Sequence, residues 1–563
     1  MSSNLFSQLD LGKRSLMAQQ AGMNTAGHNI ANVNNENFSR QRVDLDPQHP
    51  VRSQFGAGVD LKSVERLTDK FLTQRVVSEQ SKGGGNDVTE KGLRRLEGLF
   101  AEMEGYGLRK GFDEFWAGWG RLANQPESEI YRKDLVNVAN TLARRISGMG
   151  KDFRNVRLEL NGRLSQQVGR AAQLAGQIAE LNTRIQQSDR GHGEGNDLRD
   201  EREGALRELS TLVQIDWYED ENMMVNVTIG PGFPLVHGRI ANKLEASFEG
   251  NESGMFSVRG IDPKGISRDL SREMRSGELD SLVKMRDDTM VGFIDHLDEL
   301  AAEFAFQVNR LHNSGTGLLS SFQRLQSSFA LKSDALNRPL PFLKDGIFEL
   351  HMVNPQGDLL ETYQVAVKSG VDTLASVVER INATVGDSNL LEARINKDGS
   401  TSLLATGPYN FVLGNDETDF TVVMGFNNFF ETLNGADDFR INDQLLKDPN
   451  LVSTGKRMLP GDNSVALEIS QLQFKPSMNG ESITFDEFYN GMLAELGVRI
   501  NRSKEETRNQ SLIIDQFKRL RDEVSSVNMD EEVADMVKYQ RGFEAAAKFV
   551  NTVDDMTKTV INM

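Results

Sequence analysis

Apolar residues recur at helical spacing at both ends of the chain. Near the start, Leu5, Leu9, Gly12, Leu16, Gln19, Met23, Ala26 and Ile30 follow a 4–3–4–3 spacing, with Leu9, Leu16, Met23 and Ile30 as a row seven residues apart. Such a row predicts an α-helix with one narrow apolar seam, the pattern of a helix that pairs with another. Near the end, Met529, Met536, Phe543 and Val550 form one seven-residue row, and Tyr539, Ala546, Val553 and Val560 form a second. Asn528 with Glu531 resembles a capping box for this last helix. Asp530, Glu531 and Glu532 suit the positive end of its dipole. At about 1.5 Å per residue each terminal helix is roughly 40–50 Å long.

Two further seams lie between them, Leu164–Val168–Ala171–Ala175–Ile178–Leu181–Ile185 and Ile513–Phe517–Leu520–Val524. Prolines leave room for all four, since none falls between Pro50 and Pro126, between Pro126 and Pro231, or after Pro476, and proline breaks helix interiors. The middle changes period. Met224–Ile229 alternates and stops at Gly230-Pro231-Gly232, the mark of a strand and turn. Gly346–Val353 with Glu361–Val367 predicts a hairpin, followed by a short helix around Leu374, Val377, Val378 and Ile381 and strands near Leu391–Ile395 and Ser402–Ala405. Gly83-Gly84-Gly85 reads as a flexible joint.

The fold class expected is therefore multidomain, α plus α+β. Residues 1–60 and 525–563 would be axial helices pairing with each other or with neighbouring copies. Residues 61–335, completed by 482–524, would form a helix-rich domain with a β-hairpin, and 336–481 an α+β insert. A chain of 563 residues exceeds what one core organises. Its net charge of −18 argues against nucleic acid and anionic membranes as partners. No run of about 20 apolar residues offers a membrane span. The absence of cysteine removes disulfides and thiolate metal sites. The start, MSSNLFSQLDLGKRSLM, lacks the basic stretch and apolar run of a secretory signal, so any export would use a route that ignores such signals.

Candidate chemistry is sparse. The seven histidines (His28, His49, His192, His237, His296, His312 and His351) are scattered, without metal-ligand spacing. Gly260 and Gly265 have phosphate-loop separation, but Ile266 stands where a lysine is required. Gly191–Gly195 lacks dinucleotide spacing and reads as a loop. No nucleophile elbow is present. The expectation is no catalysis, no cofactor and no metal.

The terminal seam runs into Asn29-Ile30-Ala31-Asn32-Val33-Asn34 and then Phe38-Ser39-Arg40-Gln41. This resembles the signature of flagellar axial proteins, and the Arg-Gln after the aromatic and Ser is similar to the hook-associated protein 1 family. Asparagine tolerates the turn conformations that stop a helix, and the aromatic can anchor the departing chain. Further blocks resemble the same family in order: Asn196-Asp197-Leu198-x-Asp200-x-Arg202, Val225 to Gly238, Gly277-Glu278-Leu279 with Arg286-Asp287, Val308-Asn309 through His312 to Gly317, Gly425 to Phe430, Ala436-Asp437-Asp438, Gly461-Asp462-Asn463, and Val524 to Glu532 with Tyr539-Gln540.

The resemblance implies a structural subunit at the junction of flagellar hook and filament, exported unfolded by the flagellar type III apparatus. Its implied partners are copies of itself, hook protein, a second junction protein on the filament side, and a dedicated export chaperone at the C-terminal helix. It also implies that Leu5, Leu9, Leu16, Met23 and Ile30 face neighbours, as do Met529, Met536, Tyr539, Phe543, Ala546, Val550, Val553 and Val560. Both termini are expected to order only on assembly. The competing readings are another axial protein (hook, distal rod or second junction protein), a secreted enzyme with a catalytic middle, and a coiled-coil effector or adhesin.

Overall fold

The proline-free stretches fold as long helices. The computed structural model describes the chain except residues 1, 49–55, 57, 101–106, 189–194, 249–253, 319–320, 333–334, 337, 341, 387–389, 457–458, 460 and 563, and only the backbone of 2–6 and 561–562. The side chain of Leu5, the residues His49 and His192, and the glycine-rich run up to Glu194 lie outside the described residues.

In chain order, α1 (Ser2–Ala31) leads into the hairpin β1 (Gln41–Pro47) and β2 (Val59–Arg66). Four helices follow: α2 (Lys70–Phe100), α3 (Leu108–Asn124), α4 (Glu129–Ser188) and α5 (Asn196–Leu212). Short strands come next, β3 (Ile215–Glu219), β4 (Val225–Ile229), β5 (Phe233–His237), β6 (Ile240–Ala241), β7 (Lys243–Ser247), β8 (Ser257–Ile261) and β9 (Ser267–Asp269). Helix α6 (Glu278–Lys284) passes through a π-helical turn at Met285–Thr289 into α7 (Met290–Asn313). Next come β10 (Arg324–Ala330), β11 (Gly346–Val353), β12 (Leu359–Val367), α8 (Leu374–Val385), β13 (Leu391–Ile395), β14 (Ser400–Ala405) and β15 (Asn410–Asp416). Short elements α9 (Phe420–Met424), β16 (Phe430–Glu431), β17 (Arg440–Ile441), α10 (Asp443–Lys447) and α11 (Ser464–Gln471) precede the long α12 (Phe485–Ser525) and α13 (Met529–Asn562).

The chain divides into two compact units. The first comprises Met1–Gly92, Glu159–Asp288 and Ile500–Met563. Its sheets are antiparallel, β3-β4-β5-β6 and β7-β8-β9, beside the β1-β2 hairpin, in which Gln41 pairs with Arg66 and Pro47 with Val59. The seam from Leu164 to Ile185 forms its core, and each of its seven residues is at most 1% exposed. Asn182, on the same helix, grips β4 by donating to Val225 O at 2.8 Å and accepting from Val225 N at 3.0 Å. Gly83, Gly84 and Gly85 are not a joint but lie inside α2. A Cβ on Gly84 would sit 2.3 Å from Thr211 O, so glycine is needed there for close approach to α5.

The second unit comprises Leu93–Leu158 and Thr289–Arg499. Aromatic rings fill its centre: Phe115 and Phe304 meet at 5.2 Å, and each meets Phe430, at 5.6 and 5.4 Å. The first contact is edge-on and the other two are tilted, and such ring pairs add to the area that the rings bury. A separate buried cluster surrounds β11 and β12, which pair as the expected hairpin, and Leu350, Val365, Val377 and Ile381 are fully buried.

Two of the sequence blocks meet in this unit. Asn309 accepts from Phe429 N and Phe430 N, both at 2.8 Å, and donates to Phe430 O. Fully buried His312 donates from Nδ1 to Asn427 O at 2.9 Å and accepts at Nε2 from Ser453 N at 3.0 Å. Burial lowers its pKa to about 4, so the ring is neutral.

Candidate assembly interface

Helix α1 ends where its asparagines take over from the helical ladder. Asn32 Nδ2 donates to His28 O at 3.1 Å, and Asn35 N and Phe38 N continue as turns onto Asn32 O and Asn35 O. The Phe38 ring then packs edge-on against His28 at 5.2 Å, which redirects the chain toward β1.

α1 and α13 pair antiparallel within the first unit. Gly12 lies under Val550, Gly22 under Tyr539, and Gly542 under Gln19, with ideal Cβ positions 2.5, 2.5 and 2.6 Å from those side chains. The intramolecular contact thus sets glycines of each helix under larger side chains of the other; Ala26 is 2% exposed, and Ala546 and Val553 are 7% and 2% exposed. The larger apolar row, Leu9, Leu16, Met23 and Ile30, is only half-buried, and Met17 beside it is exposed. On α13, Met536, Tyr539, Phe543 and Val550 are half-buried, whereas Met529 and Val560 are exposed. Val533, Val537, Phe549 and Met556 join them on the open surface. The seam predicted on α12 is likewise uncovered at Ile513, Leu520 and Val524.

A polar clasp closes the Asn-turn end of this pair. Asn29, 1% exposed, accepts from Gln41 N at 3.0 Å and donates to Gln41 O and to Glu532 Oε2, both at 2.9 Å. Arg40 reaches the same helix start, donating from Nε to Glu532 Oε1 at 2.6 Å and from Nη1 to Glu531 Oε2 at 2.7 Å. Burial alone would lower the Arg40 pKa, but the Glu532 and Glu531 carboxylates reverse that and hold it above its ordinary value. Asn528 caps α13 by accepting from Asp530 N at 3.0 Å. The expected capping box is half-built, because Glu531 turns to Arg40 instead.

The second half of the clasp comes from α5. Ser39 donates from N and Oγ to the two oxygens of Asp200 at 3.0 and 2.7 Å. Arg66 bridges Asp200 and Glu203 at 2.6 and 2.8 Å. Gln41 Nε2 donates to Asp197 at 2.9 Å, and His28 meets the same oxygen at 3.1 Å. Burial pushes the Asp200 carboxyl above its usual range against the pull of Arg66. Three separated sequence blocks, Phe38–Gln41, Asn196–Arg202 and Asn528–Glu532, therefore converge on one spot.

Sequence reasoning placed Asn29, Asn32, Phe38, Ser39, Arg40 and Gln41 in a motif without naming their acceptors. It missed Gly22 and Gly542 entirely. Their signal was a glycine tolerated inside a long helix, which asks for a packing reason. Among the described residues no group of His, Asp and Glu could hold a metal ion, and no helix is long and apolar enough to cross a membrane.

Comparison with known proteins bears on this geometry. Residues 93–323 match the family model described as the flagellar hook-associated protein FlgK helical domain, and residues 521–563 match that of the flagellar basal body rod FlgEFG protein C-terminal region. The chain is 23% identical over 579 residues to flagellar hook-associated protein 1 of Bacillus subtilis, an alignment spanning 100% of this chain and 98% of the relative. It is 22% identical over 560 residues to the protein of that name from Escherichia coli, spanning 97% and 98%. In fold it is similar to the flagellar hook junction protein FlgK from Burkholderia pseudomallei, with a TM-score of 0.51 at 14% identity, over 80% of this chain and 99% of that one.

Proposed function

We infer that this chain, a flagellar hook-associated protein, is a structural subunit of the bacterial flagellum at the hook–filament junction and is required for filament assembly. The end-to-end match to flagellar hook-associated protein 1 carries the reading. The C-terminal match alone would also suit a rod or hook protein, but the match over 93–323 favours a hook-associated one.

The mechanism follows from which surfaces the α1·α13 pair leaves open. The pair closes over its glycines, while Leu9, Leu16, Met17, Val533, Val537 and Met556 remain at least partly in contact with solvent. In assembly these residues would pack against neighbouring copies, at roughly 25 cal/mol per Å² of apolar area removed from water. Ordering two terminal segments offsets part of that gain.

In this reading 1–60 and 525–563 are the assembling segments. The rest of the chain, expected as a helix-rich domain of 61–335 with 482–524 and an insert of 336–481, would support them. Hook protein, a second junction protein and an export chaperone would share the α13 surface, where the flexible Met529, Met536 and Met556 adapt to different partners. The role is architectural, with no reaction assigned.

Deleting residues 525–563 in a strain that relies on this chain tests the reading. The expected result is immotile cells that shed filament subunits into the medium. Filaments still attached to the hook would refute it.

A further inference from the structure

The second unit contains a cavity of about 820 Å³, within the range of about 300–1,000 Å³ typical of binding pockets. Its lining includes half-buried Phe306 and Phe329 and fully buried Phe430. At its edge Phe342 is 83% exposed and holds φ at +68°, a conformation that a bulky side chain occupies only under strain. Three carboxylates, Glu299, Glu303 and Glu481, border the apolar surface. The cation that also lines it, Lys344, is already paired with Asp419 at 2.9 Å. An apolar hollow with a negative border suits an aromatic side chain carried between cations.

This chain presents such a side chain elsewhere. Phe71, at the start of α2, is 59% exposed. Lys70 beside it is 82% exposed, reaching Glu219 only at 3.9 Å, and the Arg75 guanidinium lies 5.3 Å over the Phe71 ring. The other exposed phenylalanines match less well: Phe248 is stacked on Phe256 at 4.1 Å, and Phe474 and Phe549 each adjoin one lysine.

We propose that the cavity beside Phe342 receives Phe71 of a second copy of this chain, with Lys70 and Arg75 facing the glutamate border. The inference rests on the reading above that copies assemble. Knob and hollow are different surfaces, so the contact is heterologous and propagates from subunit to subunit, closing only if the rotation completes a ring.

Placing the photocrosslinker benzoylphenylalanine at position 342 of the full chain, adding it to isolated hooks and irradiating tests the contact. Mass spectrometry should find position 342 joined to a peptide containing Lys70–Arg75. Glu299→Lys with Glu303→Lys should cut the cross-linked yield about tenfold, the loss expected for a charged anchor at an interface. Lys70→Glu with Arg75→Glu in the second copy should restore it. Chains that assemble on hooks without this cross-link, or that cross-link to a different segment, overturn the contact and leave the junction reading intact. Chains that fail to assemble at all overturn both.

Discussion

Full burial holds His312 neutral against the opposing pull of the Asn427 carbonyl, and this fixes how the second unit responds to acid. Its folded pKa of about 4 lies below the ordinary 6.5, so the unfolded chain binds the proton more readily between those values. The resulting stability is complete above about pH 6.5 and is lost as pH falls toward 4, in total on the order of 3 kcal/mol. Urea unfolding of the second unit at pH 7 and pH 4.5 should show this difference. The His312→Asn variant should be less stable at pH 7 and should lose most of the pH dependence over that window. A second residue-scale effect concerns Gly22, where a Cβ would lie 2.5 Å from the Tyr539 ring. Gly22→Ala should loosen α1 from α13 by about 1–3 kcal/mol through overpacking, despite alanine's better helix propensity. Faster amide exchange across α1 would report the loosening, and adding Tyr539→Ala should reverse it.

At the scale of elements, the clasp decides where α13 begins relative to α1. Glu532 is 3% exposed and held by Arg40 and Asn29. Removing Arg40 leaves a buried carboxylate without its cation, which typically costs several kcal/mol. Arg40→Ala should therefore destabilise the first unit by about 2–4 kcal/mol, and Arg40→Ala with Glu532→Ala should cost less than the two single changes added together. Thermal unfolding of the four proteins measures that coupling. Much of this element layer was legible in the sequence. Proline gaps marked the long helices and alternation marked β4; β11 and β12 were expected as a hairpin, and heptad rows marked α1 and α13. The clasp acceptors were not legible, because Ser39 and Asp200 lie 161 positions apart, and periodicity carries no information about such pairs. The glycines of α2 were misread for a related reason. Three consecutive glycines look like a joint locally, whereas here the neighbouring α5 backbone excludes a side chain and tertiary packing overrides propensity.

For the whole molecule, the heptad reading marked the two helices that pair, and members of its rows, Gly12, Gln19, Tyr539 and Val550, meet across the pair. Gly12, Gly22 and Ala26 turn toward α13, which leaves Leu9, Leu16 and Met23 half-open. The glycine contacts engage Gln19, Tyr539 and Val550 and leave the other large apolar residues open to other molecules, and this links the first unit's packing to assembly. Replacing Val533, Val537 and Met556, which are 40–54% exposed, by serine should leave the stability of the isolated chain within about 0.5 kcal/mol per site. The same triple variant should bind isolated hooks at least tenfold more weakly, as expected when an interface loses several apolar contacts. Sedimentation with hooks compares the two proteins directly.

The central claim is that both chain ends become fully protected only when other molecules cover their open apolar faces. Amide hydrogen exchange of the full chain, alone and docked on isolated hooks, measures this segment by segment. The account predicts intermediate exchange over 2–31 and 529–562 in solution, where only the α1–α13 pairing protects them, and strong protection of both once docked. Equal, strong protection in both states, or a chain that never docks, would contradict it.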